Sequence, residues 1–152
     1  MFSKSVYLAG SMIAQKRYGH VWRKQIQKWL EKNGFKVFNP CNEEMVVRKK
    51  YDLKDLPIHE WDKLPQPLQE EIIKKDLDQV GLKTRFVICY FTQYSTGTVS
   101  ELSHALKHNV PVYFVTKLKL KGWPGTVSRA DGNRRFKNFS DLKRFLKAKY
   151  RG

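Results

Sequence analysis

Acidic residues are scarce in this chain: 14 Asp and Glu stand against 30 Lys and Arg in 152 residues, a formal net charge of +16. That imbalance makes anions the natural partners, whether nucleic acid, nucleotides or phosphates. Cysteine is scarcer still. Cys41 and Cys89 are the two present, which excludes a disulfide scaffold and points to a reducing, intracellular, cytoplasmic setting, or a nuclear one in a eukaryote. No apolar run approaches the roughly 20 residues of a membrane span, so no membrane partner is expected. The opening M-F-S-K-S-V-Y-L-A-G lacks the apolar stretch of a signal peptide. There is no P-loop and no G-x-G-x-x-G, which argues against a standard ATP or dinucleotide site, and no cofactor is expected. Repeats and low-complexity linkers are absent too, so residues 1–152 read as one domain.

The positive charge is uneven. From Lys117 to Gly152 there are twelve Lys or Arg against two acids, Asp131 and Asp141. A solvated basic surface and an anion-binding surface are both compatible with that run.

Apolar patterning alternates along the chain. S-V-Y-L-A (5–9) reads as a buried strand, and a polar, glycine-bearing loop follows. Trp22, Ile26, Trp29 and Leu30 share one face of a helix that stops at Asn33-Gly34. F-K-V-F-N-P (35–40) reads as a second strand ended by Pro40. Residues 41–67, with three prolines and the aromatics Tyr51 and Trp61, read as a long loop holding a short helical piece. A helix is expected over 68–80, a strand over 86–91, a helix over 97–108 and a strand over 112–116. A fifth short strand is expected near 135–138, and then a last helix with Ser140 as its N-cap and Leu142, Phe145 and Leu146 facing the core. Strands alternating with helices predict an α/β domain whose sheet has roughly five mostly parallel strands covered on both faces, the three-layer flavodoxin/Rossmann-like plan. Ligands of such sheets bind beyond the carboxyl ends of the strands. That brings together the loop at 10–19, the loop after Pro40 and the loop at 92–98.

Several residues at that edge carry chemistry. Ser95, Thr96, Gly97 and Thr98 run into a helix N-terminus, where backbone N–H groups favour an anion; the same residues are also ordinary caps. Glu101 follows, and it has two readings: a partner for the helix dipole, or one of a pair of carboxylates. Asp76 is the candidate for a second carboxylate, because it falls between Ile72, Ile73 and Leu77, whereas Asp78 falls past the apolar stripe. Paired carboxylates suit glycosidic chemistry, one meeting the anomeric carbon and the other handling protons or the sugar. Spacing alone does not show that the two meet. His104 and His108 lie four apart on a helix, but no third ligand motif accompanies them and no metal is expected. Cys89, inside a strand-like run, reads as a small buried hydrophobe.

Taken in order, V-Y-L-A-G-S (6–11), K-K-D-L-D (74–78) and T-Q-Y-S-T-G-T-V-S-E-L-S-H-A-L (92–106) resemble the nucleoside 2-deoxyribosyltransferase superfamily. The pattern T-Q-x-S-x-G-x-x-x-E-L-x-x-A and the later A-D-G-x-x-x-F (130–136) are most similar to its 2′-deoxynucleoside 5′-monophosphate N-glycosidase branch. The resemblance covers roughly 5–150, with 41–67 matching poorly. It implies a flavodoxin-like sheet, a homodimer whose active site is completed by the neighbouring subunit, and cleavage of the N-glycosidic bond of a small nucleotide substrate. Glu101 would be the nucleophile at C1′, Asp76 the second carboxylate, and Tyr7 the residue that positions the nucleophile. Gly10, Ser11, Ser95 and Gly97 would cradle phosphate. Transferases acting on free nucleosides tend to carry aspartate where this chain has Ser95, and a serine donates to phosphate where an aspartate repels it.

Two departures matter. The branch has an arginine and glycines after Gly-Ser, where this chain reads M-I-A-Q-K-R (12–17), so Arg17 or Lys16 would supply the charge. After Ala130-Asp131-Gly132 the branch uses a serine from the neighbouring subunit, and here Asn133 and Arg134 stand in that region. The expected activity is hydrolysis of (deoxy)nucleoside monophosphates. The alternatives are a deoxyribosyltransferase that exchanges bases and a nucleic-acid-binding or -modifying protein on the same fold. Tyr18, Tyr51 and Trp61 are candidates either for a base pocket or for plain packing.

Overall fold

The apolar segments pair side by side. In the computed structural model, which describes residues 4–12, 19–52 and 61–150, they form β1 (Ser5–Gly10), β2 (Val37–Phe38), β3 (Thr84–Tyr90), β4 (Val112–Val115) and β5 (Arg134–Phe136). These make one sheet in the order β2-β1-β3-β4-β5, with every neighbouring pair parallel. Parallel pairing demands a crossover between strands. The described helices supply it: α1 (His20–Lys32), α2 (Pro40–Lys50), α3 (Gln66–Leu82), α4 (Thr96–Lys107), α5 (Gly122–Ser128) and α6 (Phe139–Lys149). The result is the three-layer α/β plan expected from the sequence, with the strand order of flavodoxin-like sheets. No described helix is long and apolar enough to cross a membrane.

Side chains alternate across the strands, so each strand feeds two cores. Val6, Leu8, Phe86, Ile88, Tyr113 and Val115 pack with Trp22, Ile26 and Leu30 of α1 and with Leu142 and Leu146 of α6. On the other face, Tyr7, Ala9, Val87, Cys89 and Phe114 pack with Val80 of α3, Leu102 and Ala105 of α4 and Val127 of α5. Burying this much apolar surface on both faces is the main favourable term in the fold.

Three local readings are corrected. Pro40 does not end β2; it occupies the first turn of α2, where its missing N–H costs nothing. Asn39 caps that helix, its side chain accepting from the Cys41 N–H at 3.0 Å. The segment 41–67, expected as a long loop, thus holds most of α2, a 3₁₀ turn at Trp61–Lys63 and the start of α3. The periodicity was obscured because the buried face of α2 is Cys41, Glu44, Val47 and Arg48, two of them charged. Finally, Asn138 rather than Ser140 caps α6, accepting from the Asp141 N–H at 2.8 Å.

Candidate functional site

β1 runs into α1 on one face of the sheet, while β3 runs into α4 on the other. The connections therefore diverge beyond Gly10 and Tyr90, which are register partners at the carboxyl ends of β1 and β3. Divergence of this kind opens a crevice at the switch point. The two connections touch there: Gln93 donates to the Ser11 hydroxyl at 3.1 Å. Gly10 is required by close approach, since a Cβ would sit 2.8 Å from the Tyr90 carbonyl oxygen and 3.0 Å from the Trp22 ring.

Two carboxyls influence each other on the α3/α4 side of the sheet. Tyr7, fully buried, projects from β1 to the α3/α4 side and stacks on Phe38 at 5.5 Å. Asp76 comes from α3 and Glu101 from α4. Burial pushes the Glu101 carboxyl up to about 7, against the pull of Tyr7 and Arg23. Asp76 is pushed higher, to about 8, first by burial and then by the negative charges of Glu101 and Glu44. Burial, followed by Glu101 and Asp76, holds the Tyr7 phenol well above its ordinary value. The phenol and the Glu101 carboxyl are neighbours without a well-formed hydrogen bond, and the Tyr7 hydroxyl and Glu101 Oε2 are both sealed from solvent without one. Asp78 is exposed, as its position past the apolar stripe predicted. Glu101 is the sixth residue of α4, beyond the first turn in which the helix dipole acts, and its carboxyl is buried.

Charged residues that sequence reasoning passed over surround the pair. Arg23 of α1 is 1% exposed. Arg48 and Glu44, both buried on α2, form an ion pair at 3.4 Å. Burial raises the Glu44 carboxyl, and Arg48 offsets part of that rise. The available signal was Arg23 itself, a cation next to Trp22 in the apolar stripe of α1.

The expected phosphate residues divide into three groups. Gly10, Ser11, Ser95 and Gly97 lie at the carboxyl edge. Ser95 is the N-cap of α4: its hydroxyl accepts from the Thr98 N–H at 3.3 Å and donates to the Thr98 hydroxyl at 2.7 Å. Gly97 has open space where a side chain would be. Asn133 and Arg134 lie at the opposite, amino edge, where Arg134 is the register partner of Tyr113. Asn133 accepts from Val112 N–H and donates to the Val127 carbonyl, and Arg134 packs over the Phe145 ring at 5.0 Å. Within one chain these two do not join the carboxylates. Arg17, with Lys16 and Tyr18, lies outside the described residues. Tyr51 is exposed, and Trp61 packs against Val47, Leu64, Leu68 and Ile72. His104 and His108 lie ring against ring at 4.7 Å beside Gly81, and among the described residues no three potential metal ligands cluster. Cys89 is buried in β3.

Among the clefts of the described surface are two of note. One, about 510 Å³, lies between α4 and α5 and is lined by Tyr94, Val99, Trp123 and Pro124. The other, about 320 Å³, lies at the carboxyl edge, with Tyr90, Thr92, Lys117, Lys137 and Phe139 in its walls. Neither is lined by Asp76 or Glu101. The chain matches no known protein-family profile and no curated protein.

Proposed function

We propose that this protein is an N-glycosidase that hydrolyses (2′-deoxy)nucleoside 5′-monophosphates to free base and (deoxy)ribose 5-phosphate. The observation that carries the proposal is the pair Asp76 and Glu101, coupled in one buried site with Tyr7 at the switch point of the sheet. The resemblance of the 92–106 motif supplies the substrate class.

The two environments suit two roles. Environments that push two carboxyls apart assign acid and base. In this reading the Glu101 carboxylate attacks C1′. Asp76 holds its proton to about 8 and passes it to the departing base as the C1′–N bond breaks. The Asp76 carboxylate then takes a proton from water. That water attacks C1′ of the glycosyl ester and frees Glu101, and a proton is back on Asp76 for the next turnover. Tyr7 fixes the Glu101 carboxyl against β1. The N-terminus of α4, with Ser95 as its cap, supplies N–H groups and dipole for the 5′-phosphate. In this reading Arg134 reaches phosphate from the second subunit of a homodimer, since its own place is on the far edge of the sheet, and Asn133, bonded to Val112 and Val127, holds the turn beside it.

The test is to incubate the protein with deoxynucleoside monophosphates, ribonucleoside monophosphates and free nucleosides, and to follow base release by chromatography. Base released from monophosphates without an acceptor is the expected result. Release only when an acceptor base is added would assign a deoxyribosyltransferase instead. No release in either case would overturn the glycosidase reading.

A further inference from the structure

Trp123 is the most exposed of the large apolar side chains described, at 71%, and Tyr94 is 54% exposed. Scattered apolar residues on a surface are ordinary. These two are not scattered: both line the cleft of about 510 Å³ between α4 and α5.

Both rings are also held by the backbone around them. The Tyr94 hydroxyl donates to the Lys121 carbonyl at 3.1 Å and accepts from the Lys121 N–H at 3.1 Å. Its ring stands edge-on to Phe91 at 5.2 Å. Trp123 sits between Gly122, whose φ of +61° favours glycine, and Pro124, which is buried and whose ring fixes φ. The turn that presents the indole is therefore stiff, and both rings are set out before a ligand arrives.

Cations adjoin the aromatics. From Lys117 to Lys137 the chain carries seven Lys or Arg and one acid, Asp131. Lys117, Lys119 and Lys121 are exposed along the loop from β4 to α5. That loop joins the aromatic cleft, which Lys121 lines, to the cleft of about 320 Å³, which Lys117 and Lys137 line. Among the described residues none of these four lysines lies in an ion pair.

A ligand for this surface needs spaced negative charges and flat apolar faces that enter a cleft. A duplex hides its base faces in its own stack. A membrane offers charge but no planar group to insert. A single strand of nucleic acid offers both, a phosphate and a free base face at each nucleotide. We propose that this surface binds single-stranded nucleic acid: bases stack on Trp123 and Tyr94, and Lys117, Lys119, Lys121 and Lys137 take the phosphates along the loops beyond β4 and β5. This activity is separate from the glycosidase reading, since neither cleft is lined by Asp76 or Glu101.

The test is fluorescence anisotropy of the full chain with labelled DNA and RNA strands of about 15 nucleotides. A duplex, an abasic strand of equal length and anionic vesicles are run beside them. The single strands should bind, and the logarithm of affinity should fall against the logarithm of salt with a slope of about −3, roughly 0.7 for each of four phosphates. Trp123→Ala and Tyr94→Ala should each weaken the intact strand about tenfold or more while leaving the abasic strand as it was. Trp123→Phe keeps an aromatic face and should retain most of the affinity. Lys119→Gln combined with Lys121→Gln should make the salt slope shallower by about one. Trp123→Ala carries the test if Tyr94→Ala fails to fold, because the indole is exposed and its loss should leave the melting temperature unchanged.

No binding of single strands at low salt would overturn the proposal. So would equal affinity for the abasic strand, tighter binding of the duplex or the vesicles, or a Trp123→Ala variant that binds as the wild type does. A Trp123→Ala variant that falls from dimer to monomer in sedimentation would assign the indole to a subunit contact and overturn the proposal as well.

Discussion

The two faces of the sheet are built from alternate residues of the same strands, yet they carry different loads. The α1/α6 face is aromatic, and the Trp22 indole nitrogen is buried there without a partner among the described residues. Phe86 stacks with Tyr150 at 4.9 Å and tilts onto Tyr113 at 5.2 Å, and the Tyr113 and Tyr150 hydroxyls satisfy each other at 2.8 Å. On the α3/α4 face Tyr7 replaces a hydrocarbon, and its hydroxyl, with Glu101 Oε2, stays buried without a well-formed partner. Two carboxyls are pushed up into the neutral range there. One face is dominated by aromatic packing, and the other carries the raised carboxyls of Glu101 and Asp76.

Single substitutions should separate the two faces. Glu101→Gln keeps the shape of the site and removes the nucleophile, so base release should fall by about three orders of magnitude or more, roughly 4 kcal/mol in the barrier, with nucleotide binding retained. Near-normal turnover in Glu101→Gln would remove Glu101 from the chemistry. Phe86→Ala, on the opposite face, should cost about 3–5 kcal/mol of stability in denaturant unfolding while leaving the Glu101 titration in place. An equal loss of stability from Glu101→Gln would erase the contrast between the faces.

Stability against pH sharpens it further. Glu101 and Asp76 hold protons in the folded chain up to about 7 and about 8, whereas the unfolded chain releases them near 4.5 and 3.8. Between those values the native state binds more protons than the unfolded state, so stability falls as pH rises. The wild-type melting temperature should therefore drop between pH 5 and pH 8.5. Asp76→Asn and Glu101→Gln should flatten that drop and melt a few degrees higher at the alkaline end. Parallel melting curves for wild type and both variants would mean that the carboxyls are not held protonated.

The smallest effect is one of selectivity. Aspartate is as good an N-cap as serine, so Ser95→Asp should preserve α4. It should still weaken monophosphates about tenfold more than free nucleosides, through repulsion of the phosphate. Equal losses on both substrates would take Ser95 out of phosphate recognition.

Parts of this were legible in the residues. Near-continuous apolar strands and helical spacing announced a sheet covered on both faces, because burial leaves a period that can be read locally. Asp76 was legible as a carboxylate beside an apolar stripe. α2 was not, because its inner face uses Glu44 and Arg48, which satisfy each other once folded but look like surface in one dimension. Arg23 was hidden for the same reason: its partners are carbonyls 4 to 15 residues away, and carbonyls carry no sequence signature.

The sequence by itself determined the alternation of strands and helices and the polar entry to α4, which depend on neighbours a few residues apart, and the excess of positive charge, which is composition alone. Only the tertiary structure decided that Tyr7, Asp76 and Glu101 lie within electrostatic reach of one another. They lie on β1, α3 and α4, and they approach one another because parallel pairing sets β1 beside β3 and the crossovers deliver α3 and α4 to the same face. Their altered acidities were likewise decided by the fold, since burial and like charge act through space and not along the chain.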